Sequence, residues 1–179
     1  MSSSPLQDLK VIDLSTVLAG PSVGTFFAEL GARVIKVEHP QHGDITNTWR
    51  LKQESDLFKQ SAYYASVNHK KELVKLNLGL AADYRIFLNE LKDADILLMN
   101  FKKGDDQKLK VTPTELWKIK PDLLIGKITG FGSDNDRIAY DLILQAESGF
   151  MSMNGTAESG PVKMPVALID VLAAHQLKE

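Results

Sequence analysis

The chain has 179 residues, 44% apolar and 25% charged, which suits one domain around a single core and excludes a disulfide miniprotein, a low-complexity chain and a disordered one. Lys and Arg number 21 against 23 Asp and Glu, a net charge of −2, so there is no global cationic field for nucleic acid or an anionic membrane. With Cys 0, disulfides, thiolate metal sites and a Cys nucleophile are impossible, and chemistry falls to Asp, Glu, His, Lys, Ser or Tyr.

Residues 1–9 lack the basic start and apolar run of a signal peptide, and no later stretch reaches the roughly 18 uncharged apolar residues of a membrane span. A soluble cytoplasmic protein is the expectation. Residues 10–14 are a short β-branched run, and Val23, Phe26, Phe27 and Leu30 then recur at helical spacing after Gly20-Pro21. Gly31 suits the left-handed residue that ends a helix, and residues 32–38 read as a second strand ending at His39-Pro40. Such a strand-helix-strand unit predicts two parallel strands joined by a right-handed crossover. Residues 41–71 lack periodicity and read as a long loop with at most one helical turn. A strand over 72–76, a helix over 80–92 and a strand over 95–99 follow. The polar, basic stretch 100–110 leads to a Thr112 cap with Pro113 at the first helical position, a short helix over 115–120, and a strand over 123–128. The chain closes on a helix within 166–179 that meets no Gly, Asn or Pro, as expected of a piece of something longer.

Four or five strands alternating with helices predict an α/β fold: one doubly wound, mostly parallel Rossmann-like sheet over residues 1–179, with helices on both faces. Ligands of such sheets bind at the carboxyl ends of the strands, here the loops 15–21, 39–44, 100–110 and 130–140. The loop Val17-Leu18-Ala19-Gly20-Pro21 could offer backbone amides to an anion, although it lacks the G-x-G-x-x-G dinucleotide pattern and reads equally as a tight turn with Pro at the first helical position. Phe101 with Lys102, Lys103, Lys108 and Lys110 could hold a base and phosphate, or be merely solvated. Asp170 lies in the apolar run VALIDVLAA, where a carboxylate must find a partner or titrate high. The local pattern reads it as the N-cap of the helical run 171–178, with a nucleophilic role as the alternative. His39, His42, His69 and His175 have no metal-ligand spacing, so no metal is expected. Asp134, Asp136 and Asp141 read as a solvated turn, and Leu142, Ile143, Ala146, Phe150, Met151 and Met153 as core.

The segments LKVIDLSTVLAGPSVGTFFAELGARVIKVEHPQHGD (9–44), VNHKKELVKLNL (67–78), ADILLMNFKKGD (94–105), KITGFGSDND (127–136), YDLILQAESGFMSMNG (140–155) and PVALIDVLAA (165–174) together resemble family III CoA-transferases. That group contains formyl-CoA transferase, carnitine CoA-transferase and α-methylacyl-CoA racemase. The resemblance implies that Asp170 is the catalytic acyl acceptor, and that CoA contacts fall on Val17, Leu18, Ala19, His39, Leu76, Asn100, Phe101 and Lys108. It implies transfer of coenzyme A between an acyl-CoA and a small carboxylic acid through an aspartyl intermediate. It also implies that the chain is the N-terminal part of a larger fold that forms interlocked homodimers, so that the isolated piece turns over nothing. The chain departs from the family pattern at His39, where an Arg is usual, and at Asn-Phe-Lys-Lys-Gly (100–104), where Asn-Phe-Arg-Pro-Gly is usual. It carries Tyr140 where the racemases have a His, which argues for transfer over racemisation because two-base proton exchange then lacks one base. An acyl-CoA racemase or epimerase and a noncatalytic CoA-binding module remain the alternatives.

Overall fold

A computed structural model describes residues 4–55 and 57–179. The N-terminal signal reading therefore rests partly on residues 1–3, which lie outside the described residues. Five strands, β1 (Lys10–Asp13), β2 (Arg33–Glu38), β3 (Glu72–Lys75), β4 (Ile96–Met99) and β5 (Leu124–Lys127), pair in parallel in the order β3-β2-β1-β4-β5. The alternating strand pattern decides how the sheet is sandwiched, because successive side chains point to opposite faces. Ile12, Ile35 and Leu97 meet Phe87 and Leu91 of α3 (Ala81–Lys92) and Leu116 of α5 (Pro113–Ile119). Their sequence neighbours Val11, Val34 and Leu98 meet Val23 and Ala28 of α1 (Ala19–Glu29) and Ala174 of α7 (Leu168–Lys178). Each fully buried aliphatic or aromatic side chain contributes about 1.5–3 kcal/mol. The doubly wound expectation holds, and Thr112 forms the full capping box with Glu115 at the start of α5.

Three readings need correction. The stretch 41–71 contains a 3-10 turn (Ile45–Thr48) and a helix, α2 (Ala62–Asn68). Both are fixed by side-chain caps rather than by apolar periodicity: Asp44 accepts from the Thr46 amide at 3.0 Å, Ser61 accepts from the Tyr64 amide at 3.0 Å, and the Ser61 hydroxyl donates to the Thr46 carbonyl at 2.7 Å. Helix α1 begins at Ala19, so Pro21 is the third helical residue rather than the first, still within the turn whose amides lack internal partners. This early start needs Gly20, where a Cβ would overlap the Ser15 side chain.

The third correction concerns 142–153. In α6 (Asp141–Glu147) the buried residue is Gln145, which donates to Asp141 Oδ2 at 2.6 Å and to the Val166 carbonyl at 3.0 Å and accepts from the Met164 amide at 2.8 Å. With Gln145 turned inward, the expected core residues face outward: Leu142 is 52% exposed, Met153 is 74% exposed and Ala146 is exposed, while Ile143, Phe150 and Met151 are only partly covered. Past them, β6 (Gly155–Thr156) and β7 (Gly160–Pro161) form a small antiparallel hairpin that the sequence pattern does not show. The remaining short helix, α4 (Asp105–Lys108), lies in the basic stretch after β4.

Candidate active site

The winding of the sheet reverses between β1 and β4, and the segments that follow these two strands open a cleft at their carboxyl ends. Asn100 ties the segments together: its Oδ1 accepts from the Thr16 amide at 2.9 Å and its Nδ2 donates to the Thr16 carbonyl at 2.8 Å. The cleft has a volume of about 420 Å³. Val17, Leu18 and Ala19 line it from the start of α1, Asn100 and Phe101 from the end of β4, and Asp170 from the first turn of α7. Ile45 and Trp49 contribute an apolar wall from the 41–71 excursion, and Lys102, Lys103 and Arg137 add positive charge. The Lys103 ammonium donates to the Asp134 carbonyl at 2.6 Å, and the Arg137 guanidinium sits 4.0 Å over the Phe131 ring while pairing with Glu147.

His39, Leu76 and Phe101 line an adjoining cavity of about 160 Å³. Phe101 therefore stands between the two spaces. The His39 imidazole accepts from the Gln41 amide at 3.2 Å and stacks on His42 at 4.6 Å between centroids. Lys108 lines neither space; its side chain is 77% exposed and pairs with Asp105 at 3.1 Å. Of the eight positions expected to meet CoA, the structure thus brings seven to the two connected spaces and sets Lys108 apart.

Asp170 does not cap its helix. It is the third residue of α7, whose N-cap position is Ala167, without a side-chain cap bond. The capping carboxylate comes instead from Asp141, whose Oδ1 accepts from the Ile169 amide at 2.7 Å and from the Asp170 amide at 3.3 Å. Asp141 is therefore no part of a solvated turn, while Asp134 and Asp136 are exposed as expected. Burial, and then the negative charge of Asp141, push the Asp170 carboxyl up to about 6. No salt bridge to a cation offsets this at Asp170 among the described residues. Tyr63 is also raised by burial and then by the charge of Asp170, and it meets Trp49 edge-on at 5.3 Å. Asp141, Trp49 and Tyr63 are the residues that sequence reasoning missed. The Tyr-Asp pair at 140–141 ahead of an apolar helix was the available signal for the first, and an isolated Trp in a loop beside a strand end for the second.

Among the described residues no three His, Asp or Glu side chains cluster as metal ligands. Nor is any helix among them long and apolar enough to cross a membrane.

The chain is similar to known proteins over nearly its whole length. Residues 6–177 match the family model described as CoA-transferase family III. Acetyl-CoA:oxalate CoA-transferase of Acetobacter aceti is 40% identical over 163 residues, 89% of this chain and 41% of that protein. Succinate--glutarate CoA-transferase of Agrobacterium fabrum is 35% identical over 173 residues, 93% of this chain and 43% of that protein. A CAIB/BAIF family protein from Brucella suis superposes with a TM-score of 0.87 at 31% identity, over 99% of this chain and 49% of its own. The chain spans about two fifths of the length of the curated relatives it matches.

Proposed function

Because the chain belongs to CoA-transferase family III, we propose that the protein carrying it moves coenzyme A from an acyl-CoA to a small carboxylic acid, with Asp170 as the covalent acyl acceptor. The observation that carries this reading is the setting of Asp170: half-buried on the wall of the strand-end cleft, in no salt bridge with a cation among the described residues, its carboxyl raised by burial yet ionised at neutral pH. A carboxylate held this way is poorly solvated, which makes it a better nucleophile than an exposed one.

In the proposed reaction an Asp170 oxygen attacks the thioester carbonyl, the C–S bond breaks, and CoA leaves as thiolate from an aspartyl mixed anhydride. The thiolate returns to the Asp170 carbonyl carbon and expels the donor acid as carboxylate, leaving an aspartyl-CoA thioester. The acceptor carboxylate then attacks that carbonyl, and the released thiolate captures the acceptor acyl group, so acceptor-CoA departs and Asp170 is regenerated. No proton, electron or metal is consumed. The amides at the entry to α1 and the charges of Lys102 and Lys103 supply the positive potential that an anionic CoA ester needs. His39, Leu76 and Phe101 shape an annex suited to one end of the same molecule. The names of the relatives, which pair acyl-CoA with oxalate or succinate with glutarate, support a small acid as the acceptor. The family resemblance implies an interlocked homodimer for the full-length protein, and the exposed apolar side chains of Leu142, Val171 and Leu172 are surface that the rest of the chain or a second copy would cover.

The test is acceptor-free exchange. The full-length protein should exchange isotopically labelled donor acid into its own acyl-CoA, and Asp170→Ala should abolish this while leaving CoA affinity nearly unchanged. Deuterium wash-in at the α-carbon without acid exchange would move the reading to an acyl-CoA racemase. CoA binding with neither signal would make the protein a noncatalytic module.

A further inference from the structure

The segment that enters α1 is held by a buried charged pair with no part in the chemistry above. Lys36, 1% exposed in the middle of β2, donates to the Ser15 carbonyl and lies 3.5 Å from Asp44 Oδ2. Asp44, 2% exposed, uses both oxygens: Oδ1 accepts from the Thr46 amide at 3.0 Å and hydroxyl at 2.8 Å, and Oδ2 accepts from the Val17 amide at 3.1 Å. Val17 has φ +73°, a left-handed conformation that a β-branched residue adopts only when its surroundings impose it. From the other side Asn100 clamps Thr16. A buried ion pair supplies little net stability compared with apolar side chains of the same volume. What distinguishes Lys36 and Asp44 is therefore the backbone they hold.

We propose that Asp44, oriented by Lys36, is a positioning residue: it keeps Val17 left-handed so that the entry to α1 forms the wall of the cleft shared with Asp170. The role rests on the acyl-CoA reading above. An Asn in place of Asp44 can accept at only one of the two positions, so either the Val17 amide or the Thr46 amide loses its acceptor and the clamp weakens without loss of volume.

The test uses the full-length protein. Asp44→Asn should speed hydrogen exchange at the Val17 amide and raise the KM for acyl-CoA, each about tenfold, with a smaller change in kcat. A merely stabilising Asp44 would lower the unfolding midpoint and leave KM and exchange at the Val17 amide unmoved. Thr46→Val, which removes only the hydroxyl that aims Asp44, should act in the same direction more weakly and decides the matter if Asp44→Asn does not fold. Wild-type exchange at Val17 and wild-type KM in either folded variant would overturn the proposal. If the unmodified protein shows no acid exchange, the acyl-CoA reading fails, and exchange at Val17 alone still decides whether Asp44 holds the loop.

Discussion

Asp13 and Asp170 lie at the same end of the sheet, both withdrawn from bulk water, and the fold treats them in opposite ways. Burial would raise the Asp13 carboxyl, but Lys36 and Lys71 hold it below its ordinary value. The Lys71 ammonium sits 2.8 Å from Asp13 Oδ2 and also donates to the Pro21 carbonyl at 2.8 Å and to Asn68 at 3.1 Å. Every demand at Asp13 is met, so the end of β1, the start of α1 and the end of α2 are fastened together. Asp170 is given burial and a second carboxylate, and its carboxyl rises to about 6. Two aspartates of identical chemistry thus become a fastener and a candidate nucleophile, and the difference lies in whether a cation is buried with them.

The largest way to break that contrast is to remove the candidate nucleophile: Asp170→Ala should lower the transfer rate by about 10⁴-fold or more in a steady-state assay, while a fastening role would leave the rate of the folded variant intact. Lys71→Met comes next. It leaves Asp13 buried without its nearest cation and should cost about 3 kcal/mol or more in urea unfolding at neutral pH. Asp170→Asn should do the reverse and stabilise the fold. The Asp170 carboxyl lies near 6 in the folded state against an ordinary 3.8, so the neutral form is favoured by folding and the ionised form is penalised. That penalty is absent below the ordinary value and complete above pH 6 to 7. The Asn variant should therefore gain about 1–2 kcal/mol at pH 8, after allowing for solvent screening of a partly exposed group, and nothing at pH 3. Asp141→Asn is the gentlest probe. It keeps an acceptor for the α7 amides, removes the charge and gives up the hydrogen bond from Gln145, so the acid limb of the pH-rate profile should move down from about 6 without reaching the ordinary carboxylate value, because burial, the larger cause, remains.

The fold was legible in the sequence wherever one residue pattern decides the structure. The doublets Val11-Ile12, Val34-Ile35 and Leu97-Leu98 announce strands covered on both faces, and Phe87 with Leu91 announces the helix that covers one of them. The stretch 41–71 was illegible because its order comes from polar caps between segments: the Asn47 side chain accepts from the Ser61 amide at 2.9 Å, a contact that no period in the sequence encodes. At the candidate site, Asp170 stood out as a charge in an apolar run, yet its local reading as a helix cap was wrong. The cap is Asp141, 29 residues earlier in the chain, and only tertiary structure brings the two together. For the same reason α6 reads as an apolar helix with a core face, whereas its buried member is Gln145.

The most direct test of the central claim is intact-mass spectrometry of the full-length protein after incubation with a panel of acyl-CoAs, followed by hydroxylamine trapping and peptide mapping. The account predicts an acyl or CoA adduct with at least one donor, converted by hydroxylamine to a hydroxamate on Asp170 and absent from the Asp170→Ala variant. A protein that transfers CoA at full rate with no adduct, or with the hydroxamate on another carboxylate, would contradict it.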